Sequence, residues 1–274
     1  MRLLVFGAGY TGRAIHAAAL AAGHDSRLVS RTPAPDMEGF DDVDARAAEA
    51  LVATAPPQNR ADPVLVAHGP AIARGALRHA IYLSTTGVYG DCAGAWVDEA
   101  SEPRPMQTRS VQRLAVERAW AALAPETGVD ICRVAGIYGP GRSAIEELRA
   151  GRGRRVDKPG HVFGRIHRDD IAKAVVAALA RPPAGLRVLH LADDEPAEPR
   201  VVVEEAARLL GLAPPPLLPF AEAARAMSPM ALSFWAECRR ISSAATQAAL
   251  GIAWTYPSYR EGLAAIARDA ITGD

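Results

Sequence analysis

The segment that most constrains the fold is a glycine turn that follows a short apolar run near the start of the chain. Residues Arg2–Phe6 are apolar after the first, as is typical of a buried parallel strand. The turn Gly7-Ala-Gly-Tyr-Thr-Gly12 follows at once, and small apolar residues then recur at helical spacing over Arg13–Ala22. Between a strand and a helix, such glycines permit a tight turn and bring backbone amides close to a pyrophosphate. The alternative is a glycine turn that binds nothing; the favoured prediction is a dinucleotide contacted by Gly7, Gly9, Tyr10, Thr11 and Gly12.

Apolar and amphipathic segments alternate along the rest of the chain, which indicates an α/β fold. We predict strands over Leu28–Ser30, Pro63–His68, Ala80–Ser84, Val129–Val134 and Val188–Leu191, and helices over Ala45–Thr54, Val111–Leu123 and Asp169–Ala180. This alternation is typical of a Rossmann-type, doubly wound parallel sheet with right-handed crossovers.

Turn and proline clusters in the second half of the chain indicate a smaller lobe. Gly136-Ile-Tyr-Gly-Pro-Gly141 is a turn cluster, and prolines interrupt the helical patches that follow residue 196. We expect a nucleotide-binding domain over residues 1–140, to which 161–192 returns. Segments 141–160 and 193–274 are expected to form a small C-terminal substrate lobe.

The composition excludes several classes of partner. Lys+Arg and Asp+Glu each total 31, so the formal net charge is zero. A balanced charge argues against nucleic acid or an anionic membrane as the main partner and leaves a small molecule. The three cysteines show no disulfide or metal-ligand spacing, so we expect a cytoplasmic protein without a metal site. The apolar run at the N-terminus is too short for a signal peptide or a membrane span.

The end of the second predicted strand bears on the choice of nucleotide. An NAD site usually has an acidic residue about 20 residues beyond the glycines, where it binds the ribose. Here the sequence is Val29-Ser-Arg-Thr32, without a carboxylate. Ser30 and Thr32 can donate to a phosphate, and Arg31 can form a charge-assisted fork with it. We therefore predict NADP, with NAD less favoured; in the alternative, Arg31 is a solvated loop residue and the site does not discriminate.

Several further motifs together resemble one enzyme family. They are Ser84-Thr-Thr-Gly-Val-Tyr-Gly90, Asp98-Glu99, Arg133-Val-Ala-Gly-Ile-Tyr-Gly-Pro-Gly-Arg142, Ile166-His-Arg-Asp-Asp170 and Tyr256-Pro-Ser-Tyr-Arg-Glu-Gly262. With the glycine turn, they are similar to the extended short-chain dehydrogenases/reductases of the NAD(P)-dependent epimerase/dehydratase type. The resemblance covers nearly the whole chain and is strongest to atypical members that lack the usual Tyr-x-x-x-Lys motif.

The resemblance implies a catalytic set of which this chain keeps one part. In the family a Ser or Thr positions the substrate oxygen, a tyrosine transfers a proton, and a lysine four residues later binds the ribose. Thr85 stands at the hydroxyl position, and Ser84 beside it is expected to contact the cofactor. Counting back from Glu117, the tyrosine and lysine positions hold Arg109 and Arg113. Arginine stays protonated and has no hydroxyl, so it cannot replace the tyrosine.

Other residues are candidates for the missing roles. Arg113 is expected to bind the cofactor ribose, and Arg109 to face an anionic substrate or stabilise a developing oxyanion. His68, expected at a strand end, is a weaker candidate for cofactor contact and proton donation, the alternative being a histidine bonded to backbone. Tyr89 and Arg142 complete the expected substrate contacts with Thr85, although Tyr89 could instead pack beneath the site.

Two functions remain open at this stage. One is an NADP-dependent oxidoreductase or epimerase-like enzyme acting on an anionic or nucleotide-linked small molecule. Six arginines between residues 149 and 168 favour such a substrate, unless they form a solvated basic loop. The other is a non-catalytic NADP(H)-binding redox sensor or regulatory protein, which the missing tyrosine and lysine favour. The family resemblance also suggests a homodimer.

Overall fold

The computed structural model describes residues 1–58 and 60–272, and a seven-stranded parallel sheet forms its centre. The strands of the described residues are β1 Arg2–Phe6, β2 Asp25–Ser30, β3 Glu38–Gly39, β4 Ala50–Ala53, β5 His79–Thr85, β6 Trp96–Val97, β7 Gly128–Val134, β8 Gly136–Tyr138, β9 Arg155–Asp157, β10 Arg165–His167, β11 Leu186–Leu191, β12 Leu217–Pro219 and β13 Arg240–Ile241. The central sheet has the order β11-β7-β5-β4-β1-β2-β3. The order reverses beside β1, which makes the carboxyl ends of β1 and β4 the switch point where such sheets bind nucleotides.

Helices cover both faces of this sheet, so the predicted doubly wound α/β class is confirmed. The helices are α1 Tyr10–Ala21, α2 Pro63–Ala73, α3 Thr108–Ala121, α4 Ala144–Arg149, α5 Arg168–Leu179, α6 Pro199–Leu209, α7 Phe220–Ala223, α8 Pro229–Trp235, α9 Ala244–Leu250 and α10 Tyr259–Thr272. Side chains alternate along each strand, so β1 sends Leu3 and Val5 towards α1 and α5, but Leu4 and Phe6 towards α2 and α3. The two faces thus bury two separate apolar layers.

Two neighbouring predictions were wrong. The expected strand over Pro63–His68 is the start of α2, and the expected helix over Ala45–Thr54 contains strand β4. Asp62 decides the first case, because its carboxylate caps α2 by accepting from the amides of Val64 and Leu65 at 2.8 and 3.1 Å. An apolar run of this length fits a buried strand and a buried helix equally well by periodicity.

The other predicted strands and helices are confirmed, with ends that shift by a few residues. The expected segment Val129–Val134 lies within β7, and the expected helix over Asp169–Ala180 corresponds to α5. Strand β11 pairs with β7 at the sheet edge, so the chain returns to the sheet after residue 161. The predicted division into lobes stays a prediction, although α4, α6 and α10 do bury a third apolar cluster of their own.

No helix among the described residues has the length and apolar character that crossing a membrane would require.

Candidate active site

Two pockets lie at the carboxyl edge of the sheet, and the first surrounds the glycine turn. This cofactor pocket, of about 650 Å³, is lined by residues that follow β1, β2 and β4 and by the start of α2. Gly7 adopts a φ of +114°, which side-chain-bearing residues rarely adopt, and a Cβ there would overlap Thr54 Oγ1. A Cβ on Gly12 would overlap the carbonyl oxygen of Gly7. Both glycines are therefore required by the turn itself, before any ligand is considered.

Gly9 differs from its two neighbours, because a Cβ there would meet no protein atom within 4 Å. It precedes α1 with a φ of −78°, and no side chain caps the helix or places a carboxylate in its first turn. The first amides of α1 are thus left for an external acceptor, and the helix dipole favours an anion there. The opening beside Gly9 and these amides fit the pyrophosphate of a dinucleotide.

The residues at the end of β2 line the same pocket. The hydroxyl of Ser30 accepts from the amide of Thr32 at 3.2 Å, which closes a small turn. The guanidinium of Arg31 is exposed and donates to the side-chain oxygen of Gln58 at 3.3 Å. Arg31 forms no ion pair within the described part of the chain, so its charge remains available to a phosphate.

His68 does not lie where the sequence placed it. Because Pro63–His68 is helical, His68 sits in the second turn of α2 and lines neither pocket. Its ring packs 5.4 Å from that of Phe6 and 4.9 Å from that of Phe40, measured between centroids. The predictions that it contacts the cofactor and donates a proton are therefore wrong in their premise, since it supports the wall behind the cofactor pocket.

The second pocket, which we call the substrate pocket, encloses about 460 Å³ beyond the carboxyl ends of β5 and β7. Thr85 and Thr86 line it from β5, and residues 134–138 line it from β7 and β8. Segments 162–165 and 231–241 complete its walls. This volume lies in the range that holds a small organic ligand.

Thr85 and Ser84 are neighbours with different roles. The hydroxyl of Thr85 accepts from the amide of Gly87 at 3.1 Å, which leaves its own proton for an acceptor in the substrate pocket. The hydroxyl of Ser84 is buried and donates to Glu117 Oε1 at 2.5 Å. That proton is not available to a cofactor, so the geometry argues against the predicted cofactor contact of Ser84.

A buried polar network continues from Glu117 beneath the substrate pocket. Arg133 Nη2 lies 2.9 Å from Glu117 Oε2, and Arg133 Nη1 donates to the Tyr89 hydroxyl at 2.6 Å. His190 Nδ1 faces the carbonyl of Ser242 at 2.7 Å and must donate to it, so Nε2 is the acceptor 2.5 Å from the Tyr89 hydroxyl. Burial lowers the pKa of His190 and raises the pKa of Tyr89 to about 12.

Tyr89 therefore acts within this network and not at the substrate. Its side chain is buried, and its hydroxyl already has partners in Arg133 and His190. The prediction of a direct substrate contact by Tyr89 does not agree with this placement, whereas the alternative of packing beneath the site does. Glu117, Arg133 and His190 were not recognised from the sequence as one group, since nothing in their spacing links them.

The two arginines at the expected tyrosine and lysine positions lie on α3 and face different surroundings. Arg113 Nη1 donates to the Tyr82 hydroxyl at 3.0 Å and to the Leu83 carbonyl at 3.1 Å, at the carboxyl end of β5. Arg109 is exposed, and its guanidinium lies 4.1 Å from the centroid of the Phe234 ring. Since Phe234 lines the substrate pocket, Arg109 stands at the mouth of that pocket.

Tyr10, Thr11 and Arg142 lie near the glycine turn. Thr11 is in the first turn of α1, and the Tyr10 hydroxyl donates to the Pro140 carbonyl at 3.0 Å, which ties α1 to the loop after β8. Arg142 lies over the Tyr10 ring, 5.9 Å from its centroid, and is not among the lining of the substrate pocket. The predicted substrate contact of Arg142 is thus not supported by its position.

Three of the six arginines between residues 149 and 168 are paired with carboxylates, namely Arg152, Arg155 and Arg168. Arg152 pairs with Glu147 and Arg155 with Glu204, each at 2.8 Å. Burial lowers the pKa of Arg165, whose guanidinium donates to backbone carbonyls. This arrangement favours a structural role over an anion-binding site.

The segment 231–241 is the part of the substrate pocket that sequence reasoning missed. It contributes the rings of Phe234 and Trp235 and the charged pair Glu237 and Arg239, which are 2.8 Å apart. No motif marks these residues. The signal available in the sequence was the adjacent aromatic pair Phe234 and Trp235, followed closely by the opposite charges of Glu237 and Arg239.

Comparisons with known proteins place this geometry in context. No model of a known protein family matches the chain. The protein YeeZ of Escherichia coli (strain K12) is 34% identical over 205 residues, which are 72% of each chain. The solved structure of a functionally unknown conserved protein from Silicibacter pomeroyi DSS is 38% identical and superposes with a TM-score of 0.85. That match covers 98% of this chain and 99% of the other.

A human protein shares the fold at lower identity. The epimerase family protein SDR39U1, solved with NADPH, is 22% identical and superposes with a TM-score of 0.81. The match covers 98% of this chain and 100% of the human one. The two chains therefore share their architecture from end to end.

Proposed function

We propose an activity for this chain from one premise: the chain belongs to the NAD(P)-dependent epimerase/dehydratase family of the extended short-chain dehydrogenases/reductases. The proposed protein binds NADP(H) and acts as an oxidoreductase or epimerase-like enzyme on a small molecule. The observation that carries the proposal is the pair of pockets at the carboxyl edge of one sheet, one around Gly9 and the other beside Thr85.

NADP is favoured over NAD by the end of β2. Ser30, Arg31 and Thr32 supply two hydroxyls and one guanidinium that forms no ion pair among the described residues, and no carboxylate stands among them. A guanidinium binds a 2′-phosphate with charge-assisted hydrogen bonds, whereas the ribose hydroxyls of NAD call for an acidic residue. The structural relative SDR39U1 was solved with NADPH, which agrees with this choice.

The remaining residues have proposed roles around the nicotinamide. The bound cofactor supplies or accepts a hydride. Arg113 holds its ribose from the lysine position, and Thr85 donates a hydrogen bond to the substrate oxygen. Arg109 at the pocket mouth attracts the negative charge of an anionic or nucleotide-linked substrate.

The cofactor part of the proposal is tested by titrating NADPH and NADH separately into the protein and measuring each affinity by calorimetry. The unmodified protein is expected to bind NADPH more tightly. Arg31→Ala is expected to lower NADPH affinity about tenfold, equivalent to about 1.4 kcal/mol, and to leave NADH affinity unchanged. The matched control is Arg27→Ala, since Arg27 is an exposed arginine on β2, the strand that Arg31 follows, and it pairs with Asp25. Equal losses for both nucleotides would show that Arg31 does not read the 2′-phosphate.

A non-catalytic sensor is the second candidate, and one observation favours it. Among the described residues, Tyr138 is the one tyrosine that lines the substrate pocket. Its hydroxyl donates to the Ser258 carbonyl at 3.2 Å, and burial raises its pKa above the usual range. No phenol is therefore poised for proton transfer. A sensor should bind NADP and NADPH with unequal affinity and turn over no carbonyl substrate; turnover of any carbonyl compound would decide for the enzyme.

The cytoplasm as the compartment and a homodimer as the assembly stay predictions.

A further inference from the structure

The interior of the substrate pocket is apolar and aromatic. Phe163 and Trp235 meet edge to face, with their ring centroids 5.3 Å apart, and Val162 and Ile241 continue the same wall. Phe234 closes the mouth and is 54% exposed. Walls of this kind stabilise a bound apolar or aromatic group by burying its surface, and they offer no hydrogen bond or charge to a phosphate.

The two arginines that line this interior already donate hydrogen bonds to other groups of the protein. Arg165 Nη1 donates to the carbonyls of Phe163 and Ala197, at 2.9 and 3.1 Å. Arg239 Nη1 donates to the Gly90 carbonyl at 2.6 Å and to Glu237 Oε2 at 2.8 Å. Arg239 is therefore neutralised by Glu237, whereas Arg165 is held by backbone carbonyls and forms no ion pair among the described residues. A phosphate inside would meet this one guanidinium, and the other walls would not compensate its desolvation.

Glu237 is the exception among the polar groups of this wall, because half of its carboxylate has no partner. The residue is only 6% exposed, and Arg239 holds one oxygen in place. Oε1 has no hydrogen-bond partner among the described residues. A buried acceptor without a donor costs about 1–3 kcal/mol, so a ligand that supplies an O–H or N–H recovers that cost on binding.

We infer that the substrate pocket binds an uncharged aromatic or alicyclic ring that carries a hydroxyl or amino group, and that Glu237 accepts a hydrogen bond from this group. The inference rests on the proposed function, which places the reacting carbonyl at Thr85, and it names the part of the substrate on the far side. A negative charge on the same molecule would lie outside the pocket, at Arg109. Glu237 is thus a specificity-determining residue.

The test compares two probes that differ in one donor, 4-hydroxyacetophenone and 4-methoxyacetophenone. Each is titrated into the full-length protein saturated with NADPH, with tryptophan fluorescence and calorimetry as readouts. The unmodified protein is expected to bind the hydroxy compound at least fivefold more tightly. Glu237→Gln keeps the shape but removes the charge, and it is expected to bring this ratio below about two, because hydrogen bonds to ionised acceptors are about twice as strong.

A second variant guards against loss of folding. Glu237→Asp keeps the charge beside Arg239 but withdraws the oxygen from the pocket, and it is also expected to lose the preference. Glu102→Gln, at an exposed glutamate paired with Arg104, is the control and is expected to keep the full ratio. Melting temperature and NADPH affinity are measured for every variant. NADPH affinity is expected to stay unchanged, whereas Glu237→Gln is expected to lower the melting temperature because it removes the charge paired with Arg239.

Four outcomes overturn the inference, and they are distinguishable. A ratio near one in the unmodified protein, or an unchanged ratio in both Glu237 variants, overturns it while NADPH binding and the proposed function stand. Displacement of 4-hydroxyacetophenone by uridine diphosphate at lower concentration would show that the interior accepts a diphosphate. Absence of NADPH binding overturns the proposed function, and the inference with it.

Discussion

The cofactor pocket and the substrate pocket share one sheet edge but are built in opposite ways. The cofactor pocket is lined by residues from the first 64 positions of the chain, and its shape comes from backbone at Gly7 and Gly9. The substrate pocket joins β5 and β7 to segments 162–165 and 231–241, and its shape comes from side chains. A site made of local backbone leaves a motif in the sequence, whereas a site made of distant side chains does not.

The two pockets also differ in how they hold charge. At the glycine turn, the amides of α1 have no side-chain cap and Arg31 forms no ion pair among the described residues, so positive potential remains there. In the substrate pocket, Arg239 is paired with Glu237 and Arg165 donates to backbone carbonyls, whereas one carboxylate oxygen of Glu237 has no partner among the described residues. The first pocket thus suits an anion and the second suits a hydrogen-bond donor.

The largest effect is expected for Gly12→Ala, which disrupts the glycine turn beside the cofactor pocket. The added Cβ would overlap the Gly7 carbonyl, a backbone atom that cannot move without opening the turn. We expect the free energy of unfolding to fall by about 3 kcal/mol, as for severe overpacking. Urea denaturation measures this loss, and NADPH titration is expected to show no binding. A variant of unchanged stability would contradict the close approach of α1 to the turn.

Gly9→Ala tests the difference between the two glycines. A Cβ at Gly9 would fill space that we expect the bound cofactor to occupy, whereas a Cβ at Gly12 would overlap the protein itself. The backbone at Gly9 suits alanine, and the added Cβ meets no protein atom. The melting temperature is expected to stay unchanged while NADPH affinity falls at least tenfold, or about 1.4 kcal/mol. Calorimetry on the two glycine variants side by side separates these roles. Full NADPH affinity in Gly9→Ala would show that the pyrophosphate lies elsewhere.

The smallest effect concerns the wall of the substrate pocket and depends on pH. His161 stacks on Trp235 and is buried, and this burial lowers its pKa to about 4. Between pH 6.5 and about 4 the unfolded imidazole binds a proton and the folded one does not, so acid removes stability. His161→Phe keeps the ring without the titration and is expected to gain about 1 kcal/mol in the free energy of unfolding over the unmodified protein at pH 6 relative to pH 8.

Urea denaturation of both proteins at the two pH values measures this gain. A stability difference that is the same at pH 6 and pH 8 would mean that His161 takes up its proton in the folded protein, and that the wall admits water.

The sequence predicted the sheet well where buried strands and glycines carry the signal. The glycine turn, the strand ending at Ser30 and the central strands β5 and β7 all lie where expected. The exchange of strand and helix between residues 45 and 68 came from runs whose apolar pattern fits both, and the cap supplied by Asp62 was overlooked. That exchange also explains the misplaced His68.

The predicted site divides in the same way. Thr85 lies in the pocket, and Arg109 lies at its mouth, because the family motif fixes their place on β5 and α3. The hydroxyls of Ser84 and Tyr89 are instead hydrogen-bonded to buried side chains, and no local sequence pattern reveals these partners. Glu237 could not be predicted, since its importance follows from a missing hydrogen bond and only three-dimensional structure shows which groups are paired.

The wall formed by residues 231–241 has a consequence for how such a protein changes over time. One continuous stretch of chain supplies the aromatic rings and the acceptor, while the glycine turn and the network around Glu117 lie outside it. We expect that this stretch can be exchanged as one unit between proteins of the same fold. The range of ligands could then change through replacement of this one segment, while the cofactor pocket and the network around Glu117 stay the same.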